Sequence, residues 1–474
     1  MEGLGIKHMG ERIKSVCAKL KDVENPKIVD WLLFFVLMIF CYINYNHNDI
    51  LATSTHGKDL VECILKGDFF SFYDYTQSTA VYSIIVYIIF AVWSIPVFIV
   101  YAIKGIPVWG VLSYFDIPFP ILMWYKLLPT LFYFGIAVVA YKIILEITNK
   151  KQLAKWAFYL FVSSPIAMFS QFVFGQYDAI GLFFVMLALY FFIKKKYYWF
   201  SALTSIAITY KLFAFFFFVP LILLVEKRIP HLIKHGVIAM TGYIITSVMF
   251  INSLGYQSTK EFSEDIVPRL FNIGINTTMG TISLFTVAMM TICVVAYNKT
   301  IENDDEYYRY SVYIPFFVYA TMFMFVLWHP QWVIYVIPFM TLVYFMNEKT
   351  NSVLILHSAM SIGYIAITVL CFPDNVDTNM LSNGMLEKIF SRSQYNTIGN
   401  IFSMDGTLGN NFFYSLFAGA LAILIVMYAP VKRNAKQKEF NAIKESGIGS
   451  RGLIWLRTAT LLVFVVPTLL SYFN

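Results

Sequence analysis

Charged side chains are scarce in this sequence. They make up 13% of 474 residues, roughly half the share of a soluble domain. That shortage excludes an ordinary globular surface, and no stretch is polar and long enough to form a separate soluble domain. Cysteine is also sparse. Cys17, Cys41, Cys63, Cys293 and Cys371 form no C-x-x-C pair, which argues against thiol-based metal or redox chemistry. No small-residue cleavage site follows the first apolar run, so that run reads as an anchor with its N-terminus in the cytoplasm. Paired carboxylates of the D-x-D kind are missing from the segments read as external. The one acidic run, Asp304-Asp305-Glu306, reads as a solvated cytoplasmic turn. No metal and no cofactor are therefore expected.

Apolar residues fill the chain instead, at 59%. Runs of ~15–22 of them recur, each able to cross most of a ~30 Å hydrocarbon core as a helix. The fold class expected is all-α, a polytopic transmembrane bundle of about 13 to 15 membrane segments. The net charge of +7 lies in short basic clusters between the runs. This is the positive-inside pattern of a multi-pass cell-membrane protein and argues against nucleic acid.

Three regions follow: a basic, amphipathic, cytoplasmic stretch at 1–30, a catalytic membrane module at 31–346, and a C-terminal membrane module at 347–474. External loops are expected at 47–80 and 372–411. Runs 81–103 and 105–125 break at Lys104-Gly105, and the chain turns near Lys126 into 127–147. Basic clusters flank 199–225 on both sides. A broken pair with Lys211 near its apex fits that parity, and a single long helix with a snorkelling lysine is the alternative.

Gly175-Gln176-Tyr177-Asp178 sets a carboxylate at the mouth of an apolar run, and Lys211 lies inside a later one. A charge at that depth costs several kcal/mol, as an order of magnitude, and usually marks a functional cavity. The topology gathers Asp49, Asp178, Lys211, Arg269 and His329 on the extracytoplasmic side. A carboxylate can take the proton of an attacking hydroxyl, and cations can steady charge on a departing phosphate. Glycosyl transfer from a polyprenyl-phosphate sugar, a lipid donor held in the membrane, needs that set. Asp49, Asp178 and Asp59 in His56-Gly57-Lys58-Asp59 are the candidate bases. Lys211, Arg269 and His329 are the candidate phosphate contacts. Gln176, Tyr177, Gln331 and Trp332 are the candidate sugar contacts.

The order of these features resembles the bacterial membrane glycosyltransferases of the GT-C fold, nearest to those related to GPI mannosyltransferases. The likeness rests on an acidic segment after the first helix, Pro165 through Gly175-Gln176-Tyr177-Asp178, Lys211, and His329-Pro330-Gln331-Trp332. It spans roughly 31–346. Gln331 stands where that group more often has arginine. The resemblance implies a catalytic carboxylate just after the first helix, a position that Asp49 occupies. A metal-independent, inverting transfer to a saccharide or polyol-phosphate acceptor is the favoured expectation. A lipid-linked saccharide flippase or transporter, and a polysaccharide polymerase or ligase, are the rivals. The first predicts charges spread through a central cavity, and the second a late external loop with several arginines.

Overall fold

The computed structural model describes residues 25–77, 79–105, 117–264, 267–346, 350–371, 384–390, 406–430 and 449–470, with the single positions 381 and 472. Most of the amphipathic N-terminal stretch and of the 372–411 loop lies outside the described residues, as does nearly all of the basic stretch 432–451.

The longer helices are numbered in chain order. They are α1 (Ile28–Asn44), α2 (Asn48–Leu65), α3 (Ile84–Ile103), α4 (Phe119–Thr148), α5 (Lys151–Val162), α6 (Asp178–Ile193), α7 (Tyr197–Tyr210), α8 (Phe213–Val225), α9 (Ile229–Met249), α10 (Leu254–Glu264), α11 (Leu284–Asn298), α12 (Asp304–Phe325), α13 (Ile337–Tyr344), α14 (Thr350–Cys371), α15 (Gly406–Tyr428), α16 (Arg451–Ala459) and α17 (Leu462–Leu470). Strands β1 (Gly274–Thr277) and β2 (Gly280–Ser283) form one antiparallel hairpin. Among the described residues, five helices are long and apolar enough to cross a membrane, or up to eight if each bent pair counts as one span. Four further apolar helices are shorter. The architecture is all-α and polytopic.

Neighbours in sequence pack together, α2 on α3, α4 on α5 and α6 on α7, and α4 also packs on α6. The buried faces of α4 to α7 merge into one large apolar core, while α2 and α3 bury theirs in two smaller clusters beside it. By contrast, only 11% of the most apolar stretch of α9 is buried, so its Ile, Val and Met side chains form a lipid-facing surface.

Two expectations change. Residues 48–65 of the expected 47–80 loop are helical, and α1 and α2 meet at a 65° bend. Residues 119–148 form one helix where two runs meeting near Lys126 were expected. Lys126 is buried in it rather than exposed at a turn. Its Nζ donates to the carbonyls of Tyr42, of Tyr45 at 2.6 Å and of Phe172 at 3.4 Å. The last carbonyls of a helix have no partner within it. Lys126 supplies one at the end of α1, and this removes the need for a charged turn.

The run 199–225 breaks at Lys211, whose backbone is extended between α7 and α8. A further short turn, Phe169–Phe174, is wound as a π-helix and ends at Gly175. Gly175 has φ +72°, in the left-handed region that a residue without Cβ enters at no cost. The chain then turns straight into α6 with Asp178 as its first residue.

Lys126→Met should lower stability by about 2 kcal/mol, since it leaves buried carbonyls without donors. Thermal unfolding in detergent measures this as a lower midpoint, and an unchanged midpoint would exclude the capping role.

Candidate functional site

Asp178 occupies the first turn of α6, where the helix dipole favours a negative charge. Lys211 comes from the break between α7 and α8. Its Nζ lies 3.2 Å from Asp178 Oδ1, with side-chain exposures of 11% and 3%. Beyond this ion pair, neither Asp178 oxygen accepts a hydrogen bond among the described residues. The ammonium also sits over the rings of Trp332 at 4.7 Å and Tyr177 at 5.3 Å, with Tyr82 and Phe213 farther out. Such cation–π contacts strengthen when water is excluded. Gly181, one turn into α6, allows this packing. A Cβ there would meet the Tyr335 hydroxyl at 2.8 Å and Tyr210 Cβ at 2.9 Å.

Beside this pair, a chain of hydrogen bonds leads from Tyr82 to Asp49. Gln176 Nε2 donates to the Tyr82 hydroxyl at 2.7 Å. Gln331 Nε2 donates to Gln176 Oε1 at 2.7 Å and reaches Asp49 Oδ2 at 3.4 Å. His47 caps α2 and brings Nδ1 to 3.4 Å from Asp49 Oδ2. The His47 ring packs on Phe174 of the π-turn, with centroids 4.5 Å apart. Lys126 thus holds both the segment that precedes His47 and the turn beneath its ring. Asp49 keeps 33% of its side chain exposed. It is an accessible carboxylate, whereas Asp178 is sealed and paired.

His329 lies in the connection between α12 and the 3₁₀ turn Pro330–Val336, its ring 4.7 Å from that of Trp332. Burial, and then the Lys211 charge, holds its imidazole down to about 4. The ring is therefore neutral at neutral pH and works as a hydrogen-bonding group rather than a cation. Two buried polar atoms close to these groups, Gln331 Oε1 and the Tyr335 hydroxyl, have no hydrogen-bond partner among the described residues. Buried polar groups normally do, so both are available to a polar ligand.

Asp49, Asp178, Lys211, His329, Gln176, Tyr177, Gln331 and Trp332 thus come together from four separate segments. Arg269, on the turn Val267–Leu270, is near enough for its charge to act on His329. Among the described residues it makes no ion pair with this group. Asp59 instead pairs with His56 and Lys58, each at 3.2 Å, farther along α2. Sequence reasoning missed Tyr82, His47 and Tyr335. No spacing marks them, because an aromatic or histidine at the edge of an apolar run is ordinary.

The family model of Glycosyltransferase family 87 matches residues 101–373 of the chain. That span contains Asp178, Lys211 and His329, and Asp49 precedes it. No curated protein matches the chain.

Lys211→Met should destabilise the protein by about 3 kcal/mol, because Asp178 is left buried without its counter-charge. The double variant Lys211→Met with Asp178→Asn should recover most of that loss. Unfolding midpoints in detergent separate the two outcomes, and a double variant as unstable as the single one would contradict the pairing.

Proposed function

The chain belongs to glycosyltransferase family 87, and from that premise we propose that it moves a sugar from a polyprenyl-phosphate donor to an acceptor hydroxyl. The acceptor hydroxyl attacks the anomeric carbon, and its proton passes to the Asp49 carboxylate. The bond from that carbon to the phosphate oxygen breaks, and polyprenyl phosphate leaves with the electron pair. A single displacement of this kind inverts the anomeric centre.

The observation that carries the reading is the pairing of an accessible carboxylate with a sealed ion pair beside it. Asp49 is a third exposed, and Gln331 aims an amide N–H at it. Lys211 carries three donors, and Asp178 engages the ammonium from one side only. The remaining donors suit the charge that gathers on a departing phosphate. The neutral imidazole of His329 can donate one more hydrogen bond, and Trp332 and Tyr177 offer ring faces to a sugar. Asp178 is engaged by Lys211, which leaves Asp49 as the base and gives the scheme no role for a metal ion. Arg269, near His329, extends the positive field toward the phosphate. The basic clusters of the sequence support an extracytoplasmic site with the N-terminus in the cytoplasm. A saccharide or polyol-phosphate acceptor fits that side.

Purified protein incubated with a panel of radiolabelled polyprenyl-phosphate sugars and acceptor saccharides tests this. One donor should be consumed. Asp49→Asn should reduce turnover by about 10²- to 10⁴-fold, the usual worth of a general base, while Asp59→Asn retains most activity. Failure to consume any donor, or an Asp49→Asn enzyme as fast as the wild type, would overturn the assignment.

A further inference from the structure

The hairpin β1–β2 is unusual in its composition. From Leu270 to Leu284 there is no charged residue, and Arg269 stands immediately before. Cross-strand pairing sets Ile275 opposite Ile282, and Asn276 opposite Thr281. Side chains alternate across a strand, so the first pair marks one face and the second the other. Ile275 is 61% exposed and Ile282 49%, and Met279 at the tip is 97% exposed. Phe271 and Ile273, which lead into β1, are exposed as well.

A two-stranded hairpin with an apolar face open to water is a marginal structure and an aggregation hazard. Water-facing edges of this kind are normally protected by charge, and here there is none. Several of the hairpin's polar side chains find partners within it. The Thr281 hydroxyl donates to Asn276 Oδ1 at 2.9 Å on the polar face. At the tip, Thr277 Oγ1 donates to the Gly280 carbonyl at 2.7 Å and accepts from Met279 N at 3.2 Å. Backbone groups that find partners this way tolerate a place with little water.

The hairpin is also fastened to a membrane helix. Ser283 Oγ donates to the Leu270 carbonyl at 2.9 Å, and Leu284 N to the Ile273 carbonyl at 3.1 Å. Leu284 begins α11, one of the shorter apolar helices. Val287, Met290 and Val294 are exposed along α11 at helical spacing, which is the stripe a helix turns to lipid. The hairpin therefore sits at the end of a lipid-facing helix, where hydrocarbon gives way to headgroups. Its two outer edges keep unpaired backbone groups, which suits the interface rather than the hydrocarbon core.

We propose that the β1–β2 hairpin is a membrane-interface element, with Ile275, Ile282 and the Met279 tip seated among the phospholipids of one leaflet. The polar face of Asn276 and Thr281 turns toward headgroups and water. The partner is the bilayer itself. The inference rests on the membrane architecture and not on the sugar chemistry, so it stands or falls separately from the proposed reaction.

The test uses the full chain in nanodiscs of phosphatidylcholine and phosphatidylglycerol. Met279→Cys, Ile282→Cys and Thr281→Cys are each labelled with a bimane fluorophore. The unsubstituted chain, in which Cys41 and Cys63 are buried and Cys293 is half-buried, sets the labelling background. All three substitutions fall on surface positions of the hairpin, and retained thermal stability confirms that each variant folds. Labels at 279 and 282 should be quenched by nitroxides carried on shallow lipid positions and shielded from aqueous iodide. The label at 281 should show the reverse. Iodide quenching at 279 and 282 as strong as at 281 would place the hairpin in water and end the proposal. Shielding of 279 and 282 from both quenchers would mean a protein cover, and that result overturns it equally.

Discussion

Burying Asp178 and Lys211 together governs much of this structure. Either charge alone, sealed among apolar helices, would carry a heavy desolvation penalty. Their 3.2 Å contact offsets it only because two local breaks in helical order bring them together. One is the extended backbone at Lys211, which separates α7 from α8. The other is the π-turn ending at Gly175, after which the chain turns into α6. Around the pair, Trp332 and Tyr177 lend ring faces to the ammonium. A close approach at Gly181 lets Tyr335 and Tyr210 pack against α6. The polar site is thus built out of irregular backbone, which survives at membrane depth only where protein lines it.

Lys126 has a quieter role of the same kind. It sits near the start of α4 and reaches the carbonyl end of α1 and the π-turn at once. Those two places carry His47 and Phe174, whose rings are in contact. Asp49, just beyond His47, is thereby held against the segment that bears Gln176. Tyr82, Gln176 and Gln331 then bridge to it in sequence. The residues matched by the glycosyltransferase family begin at 101. Asp49 stands outside them and joins the site through these contacts alone.

Some of this was legible in the sequence. A carboxylate and a lysine within apolar runs are conspicuous, and the helix break at Lys211 followed from basic clusters on both sides of 199–225. Gly175-Gln176-Tyr177-Asp178 read correctly as a polar turn entering a helix. Other features were hidden. Lys126 looks like a turn marker, because a lysine between apolar runs usually is one, and its carbonyl partners lie more than forty residues away in sequence. Residues 48–65 carry polar and acidic side chains suited to a loop, yet they fold as a helix that packs on α3. Tyr82 has no local pattern at all, and its importance comes from a glutamine 94 positions later.

Composition and the spacing of apolar runs were sufficient to determine an all-helical membrane protein with a few charges set inside its apolar runs. Those properties depend on how each segment partitions between water and lipid, which is a local matter. Tertiary structure alone decided which carboxylate is sealed and which is open. It also decided that Lys211 answers Asp178, and that Gln331 lies between Gln176 and Asp49. Those outcomes depend on distances of a few ångströms between segments far apart in the chain, and such distances are set only when helices pack and every buried polar group competes for a partner.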